Sequence, residues 1–161
     1  MKKREVKFSY LHLGSEQELK EGDALLLEEA RRVTQFAYAP YSHFRVGACA
    51  QLDNGEMITG TNQENASFPA GICAERTLLS TAASLFPGIA IKTLAISYHN
   101  LNGKSDKPVS PCGICRQSLV EFQERTGTPI RIILSGMQGP VLVIDNAADL
   151  LPLVFSARDI E

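Results

Sequence analysis

Cys73 and Glu75, with one residue between them, and the run Pro111-Cys112-Gly113-Ile114-Cys115-Arg116 carry the residue types in this chain best suited to chemistry. Together they offer three thiolate ligands and one carboxylate. A structural zinc site is normally closed by four protein ligands, whereas a catalytic one keeps a position open for water. Three cysteines with a free carboxylate therefore read as a catalytic metal site. Three sulfur ligands favour zinc as the metal. A Cys-x-x-Cys pair by itself also suits a redox dithiol or a zinc knuckle. The Cys-x-Glu upstream is what narrows the reading.

Both cysteine groups are expected to open helices. Leu78, Leu79, Ala82, Ala83 and Phe86 recur at helical spacing after Cys73 and are stopped by Pro87-Gly88. Ile114, Leu119, Val120 and Phe122 do the same after the Cys-x-x-Cys, with an end near Gly127. Free N–H groups and the positive dipole at a helix start favour anions, thiolates included. Two such starts converging on one cation would hold all three sulfurs in their metal-binding form. Three thiolates on a dication leave one net negative charge, which makes a bound water a poorer acid. Arg76, beside Glu75, is the expected compensating charge, through hydrogen bonds to the sulfurs. Arg116 is a second candidate.

The remaining elements follow from local pattern. Asp23 stands as an N-cap ahead of a helix over 23–38, ended by Pro40. Strands are expected at 46–52 and 57–61, joined by the Asp53-Asn54-Gly55-Glu56 turn, then at 91–97, 130–135 and 141–144. Loops fill 62–71 and 98–110, a short helix covers 147–151, and the tail contains Phe155. The order α-β-β-α-β-α-β-β-α predicts an α/β fold, three layers α/β/α around a mixed five-stranded sheet. Residues 1–22 are read as an N-terminal arm or extension and 23–161 as a single catalytic domain. Cys49 alternates with Val46, Ala48 and Ala50, so it is expected to be a core thiol. His12, His43 and His99 have no ligand pattern and receive no role.

Composition limits the partners. The chain has 161 residues, 44% of them hydrophobic, and a formal net charge of -2, so a nucleic-acid polymer finds no electrostatic footprint. No export signal follows Met1-Lys2-Lys3-Arg4, and no apolar run is long enough to span a bilayer. A cytoplasmic location is expected, where four cysteines stay reduced.

Cys73-Ala74-Glu75-Arg76 and Pro111-Cys112-Gly113-Ile114-Cys115-Arg116-Gln117 resemble the zinc signatures of the cytidine deaminase family, in its short, homotetrameric, three-cysteine form. Ala39-Pro40-Tyr41-Ser42-His43-Phe44-Arg45-Val46-Gly47-Ala48, Asn62-Gln63-Glu64-Asn65-Ala66 and Leu150-Leu151-Pro152 extend the resemblance from about residue 24 to the C-terminus. Zinc deaminases use a glutamate that is not a metal ligand as the proton carrier. The resemblance implies one zinc per subunit on Cys73, Cys112 and Cys115, with Glu75 as that carrier. It implies hydrolysis of cytidine and deoxycytidine to uridine and deoxyuridine, with release of ammonia, in pyrimidine salvage. It places Asn62 and Glu64 on the ribose hydroxyl, Phe44 against the nucleoside, and the Ala74 backbone and Ser110 carbonyl on the base. It sends Phe155 into a neighbouring subunit's pocket, giving a homotetramer with shared active sites. Phe68 stands where many relatives have tyrosine, and Ser67 where they have cysteine or alanine. Two other functions compete with this one. A deaminase acting on polynucleotides or on a nucleoside-like antibiotic is one, and a zinc-stabilised binding module with Cys49 as fourth ligand is the other.

Overall fold

The structure is a computed structural model, and it describes residues 1–160. Nine principal elements follow in chain order: β1 (Leu11–Leu13), α1 (Glu21–Val33), β2 (Phe44–Leu52), β3 (Met57–Thr61), α2 (Ala74–Leu85), β4 (Ile91–Asn100), α3 (Gly113–Thr126), β5 (Arg131–Ser135) and β6 (Val141–Ile144). The strands form one sheet in the order β1-β6-β5-β4-β2-β3. Among the described strands only β4 and β5 run parallel; every other neighbouring pair is antiparallel. The parallel pair is joined through α3, the crossover that such a pair requires.

The sheet is mixed, as expected, but has six strands rather than five. The sixth comes from the arm: Leu11, His12 and Leu13 pair with Val143, Leu142 and Val141. Leu13 and Leu19 also pack against the core beneath α1. Helix α1 begins at Glu21, two residues before the expected cap, and ends at Val33 in a tight turn over Thr34–Phe36. Asp23 is not its cap. The Asp23 carboxylate is taken by Arg131 across the fold at 2.7 Å, so the residue sits inside the first turn, where a negative charge also suits the helix dipole.

Alternation along the strands divides the core in two. On one face Ala48, Ala50, Leu94, Ile96, Ile132 and Leu134 meet Leu78 and Leu79 of α2 and Leu119 and Phe122 of α3. On the other, Cys49, Ala95, Ile133 and Val143 meet Leu26, Leu27 and Ala30 of α1. The layers are therefore α1, the sheet, and α2 with α3. Gly127, at φ 69°, ends α3 in the left-handed conformation, which glycine adopts without a side-chain penalty.

Candidate active site

Cys73 and Cys112 occupy equivalent positions, each the last extended residue before its helix, at the starts of α2 and α3. Cys115 lies one turn into α3 and is fully buried. The two helix starts meet on the same face of the sheet. Cys73 Sγ lies 3.7 Å from Cys112 Sγ, and Cys112 Sγ lies 3.4 Å from Cys115 Sγ. All three sulfurs fall within 4.8 Å of one another. Sulfurs about 2.3 Å from a tetrahedral zinc stand about 3.8 Å apart, so this donor set fits that ion with one position left over.

Proton sharing within the cluster supports the same fit. A hydrogen bond from Cys115, aided by one from Cys112 and by the Arg76 charge, draws the Cys73 thiol down to about 6. Cys115, donating to Cys73 and buried, is held far above the ordinary thiol range. Ionisation of Cys73 thus opposes ionisation of Cys115. Three thiolates at this spacing need a cation among them.

Glu75, in the first turn of α2, is 5% exposed. Burial raises its carboxyl pKa, partly offset by hydrogen bonds from its own backbone N–H and from the Cys115 thiol. Burial thus shifts this carboxyl toward holding a proton, the direction a proton-exchanging group needs. Its position depends on β3. A Cβ on Gly60 would meet the Ala74 carbonyl oxygen at 2.4 Å and the Leu78 nitrogen at 2.5 Å, so the first turn of α2 rests directly on strand backbone.

The two arginines differ. Arg76 points into a groove between α2 and α3, beside Ser118, Glu121 and Arg125. Among the described residues no hydrogen bond joins it to a sulfur; it acts on Cys73 through its charge alone. Arg116 braces the metal loop instead, donating from Nε to the Pro111 carbonyl and from Nη1 to the Leu150 carbonyl, both at 2.9 Å.

Asn62 and Glu64 organise the loop that leads into β2. Asn62 Oδ1 accepts from the Val46 N–H at 2.7 Å, and its Nδ2 donates to the Phe44 carbonyl at 3.0 Å. Glu64 Oε2 accepts from the N–H groups of Tyr41 and Ser42 at 2.9 and 3.3 Å. Hydrogen bonding from Ser42, then the backbone N–H groups, holds the Glu64 carboxyl below its ordinary range. A cavity of about 510 Å³ opens here, lined by Tyr41, Asn62, Glu64, Phe68, Ile72 and Cys73 among others, a volume suited to a small organic molecule. Ala74 is buried behind Cys73, Ser110 is exposed two residues before Cys112, and both lie outside this lining, as does Phe44. Phe155 is 62% exposed while its carbonyl accepts from Gln117 Nε2 at 2.8 Å.

Sequence reasoning missed Gly60, and it missed Tyr98, whose ring stacks on Phe44. The strand was expected to end at Ser97, but β4 runs on to Asn100. Cys49 is buried on the α1 face, across the sheet from the other thiols. It cannot be a fourth ligand, which removes the closed-site binding module.

The family model for the cytidine and deoxycytidylate deaminase zinc-binding region matches residues 20–127. A cytidine deaminase of Halalkalibacterium halodurans is 35% identical over 135 residues, covering 84% of this chain and 95% of the relative. One from Sporosarcina psychrophila is 35% identical over 136 residues, covering 84% and 92%. Among solved structures, the cytidine deaminase of Burkholderia pseudomallei superposes with a TM-score of 0.71 at 36% identity, over 85% of this chain and all of that one. The enzyme from Mycobacterium tuberculosis gives 0.64 at 29% identity, covering 85% and 98%. The matched segment spans both cysteine groups and Glu75, and the chain belongs to the cytidine and deoxycytidylate deaminase family.

Proposed function

We propose that this chain hydrolyses cytidine and deoxycytidine to uridine and deoxyuridine, releasing ammonia. The observation that carries the reading is a buried Glu75 beside three convergent thiols whose spacing leaves one zinc position open. Cys73, Cys112 and Cys115 would hold the zinc ion, which when bound would supply an acidified water as nucleophile near neutral pH. Glu75 accepts a proton from that water and delivers it to N3 of the pyrimidine as oxygen bonds to C4. Glu75 then takes the proton of the hydroxyl now on C4 and passes it to the exocyclic amine; the C4–N bond breaks, ammonia leaves, and the C4 carbonyl of uridine forms. The N-terminal ends of α2 and α3 and the Arg76 charge offset the excess negative charge of three thiolates. Asn62 and Glu64 face the sugar: an Asn62 N–H and Glu64 Oε1 are the atoms their loop contacts leave over for its hydroxyls. Phe44 packs against the nucleoside, and the Ala74 backbone and Ser110 carbonyl read the base.

The fixed backbone and bare ring of Phe155 support a further part of the reading. In a homotetramer each Phe155 would close a neighbour's site. Unpaired cysteines suit the reducing cytoplasm, and among the described residues no helix is long and apolar enough to cross a membrane.

Ammonia release from cytidine, deoxycytidine and a cytosine-containing oligonucleotide, measured for native protein and Glu75→Gln, tests the assignment. Native protein should act on the nucleosides and not on the oligonucleotide, and Glu75→Gln should keep its zinc while losing about 10²–10⁴ in rate. A zinc-loaded native protein inert toward both nucleosides would refute it.

A further inference from the structure

Tyr98 has no part in the chemistry above, yet its position is unusual. Its ring stacks on that of Phe44, with centroids 4.7 Å apart and planes 13° from parallel. Tyr98 is 2% exposed and Phe44 is half-buried. The pair is thus a two-layer aromatic stack, Tyr98 buried behind and Phe44 nearer solvent, which in the deaminase reading forms a wall against the nucleoside. Strand alternation fixes the side of the sheet on which it stands. Leu94 and Ile96 belong to the core beneath α2 and α3, and Tyr98 continues their series. Ala48, Ala50 and Val46 do the same for Phe44. Both rings therefore rise from the face that carries the three thiols and Glu75.

The Phe44 backbone is already held at every point. Its N–H donates to the Ser42 hydroxyl at 3.0 Å, and its carbonyl accepts from Asn62 at 3.0 Å. His43, just before it, adopts φ 56°, and its carbonyl accepts from the Leu101 N–H at 3.0 Å. What freedom remains to Phe44 is rotation of its side chain among rotamers. The face of Tyr98 limits that rotation.

We propose that Tyr98 is a positioning residue for nucleoside binding, acting through the ring of Phe44. The role rests on the deaminase reading, in which Phe44 packs against the substrate. A wall fixed before binding spares the complex the cost of ordering it. Without the Tyr98 ring, Phe44 rotates into the vacated space and the wall recedes. The thiols and Glu75 are untouched, so the loss falls on binding rather than on the chemical step.

The test measures KM and kcat for cytidine, and the Kd for uridine by calorimetry, in zinc-loaded native protein, Tyr98→Leu, Tyr98→Phe, Phe44→Ala and the Phe44→Ala/Tyr98→Leu double variant. Tyr98→Leu should raise KM and Kd about three- to tenfold at unchanged kcat, the scale of a lost aromatic pair, and Tyr98→Phe should restore both. In the Phe44→Ala background Tyr98→Leu should add nothing, because the two act as one unit. A purely structural Tyr98 would lower the melting temperature and leave KM in place, which overturns the proposal. Equal and additive effects in the two backgrounds overturn it as well. A native protein that turns over cytidine while Tyr98→Leu keeps its KM refutes the Tyr98 role alone; a native protein that releases no ammonia refutes the reaction, and the role with it.

Discussion

Gly60 and Ala74 touch backbone to backbone: a Cβ on Gly60 would fall 2.4 Å from the Ala74 carbonyl oxygen. This contact sets the height of α2 above β3, and with it the positions of Cys73 and Glu75 at the helix start. A side chain at residue 60 must push the first turn away from the sheet, because the atoms it meets are main chain and cannot rotate aside. Gly60→Ala is expected to destabilise the fold by about 1–3 kcal/mol. It should also weaken zinc retention against a chelator, while Gly22→Ala, with open space around its Cβ, should leave zinc retention unchanged. Equal chelator resistance in the two variants would show that the contact does not position the site.

Removing the metal should cost stability as well as activity. Cys112 and Cys115 lie 3.4 Å apart, and sulfurs so close lose their compensating cation when zinc is stripped. Because a bound ion stabilises only the state that holds the site, the melting temperature should rise with free zinc concentration and fall on chelation. Cys112→Ala should abolish that dependence. A melting temperature indifferent to zinc in the native protein would contradict the three-thiol site.

Cys49 should behave oppositely to the other cysteines. Burial pushes its thiol up to about 12 from an ordinary value of 9.0. Below pH 9 both folded and unfolded chains keep the proton, and Cys49 contributes no pH dependence. Between 9 and 12 the unfolded chain releases it and the folded chain does not, so stability falls as pH rises, by up to about 1.4 kcal/mol per unit. Denaturant unfolding of native protein and Cys49→Ala across this window should show the steeper decline in the native protein. In native, zinc-loaded protein near pH 8, Cys49 should resist alkylation until the chain unfolds.

How far the sequence reveals this site depends on how local each determinant is. The Asp53–Glu56 turn, the β3 strand and both cysteine-led helices are encoded by adjacent residues, and they form where the pattern places them. Arg76 shows the limit of adjacency. Consecutive helix residues point about 100° apart, so with Glu75 turned toward the thiols, Arg76 is carried round into the α2–α3 groove. Asn62 and Glu64 read as a polar pair, but their bonds to Val46, Phe44, Tyr41 and Ser42 join segments that only the fold brings together. Asp23 has the type and place of an N-cap and loses that role to Arg131, a partner on β5. Strand β1 is three residues long, too short for a periodic signal, and its partner β6 lies near the other end of the chain.

The arm that supplies β1 can be removed to separate folding from chemistry. Three residue pairs join Leu11–Leu13 to β6, Leu13 and Leu19 cover the α1-side core, and Glu16 pairs with Arg31 of α1. Deleting residues 1–19 uncovers the β6 edge and part of that core. Two lost apolar contacts and a few edge hydrogen bonds together suggest a loss of about 2–4 kcal/mol. The exposed edge should also promote self-association at high concentration. The thiols and Glu75 stand on the opposite face, beneath α2 and α3, and Arg31 still donates to the Gly136 carbonyl at 2.9 Å to hold the β5–β6 turn. Zinc content and KM for cytidine should therefore persist below the lowered melting temperature. Loss of zinc or a rise in KM at a temperature where the truncated protein remains folded would make the arm part of the active site rather than a cover for one edge of the sheet.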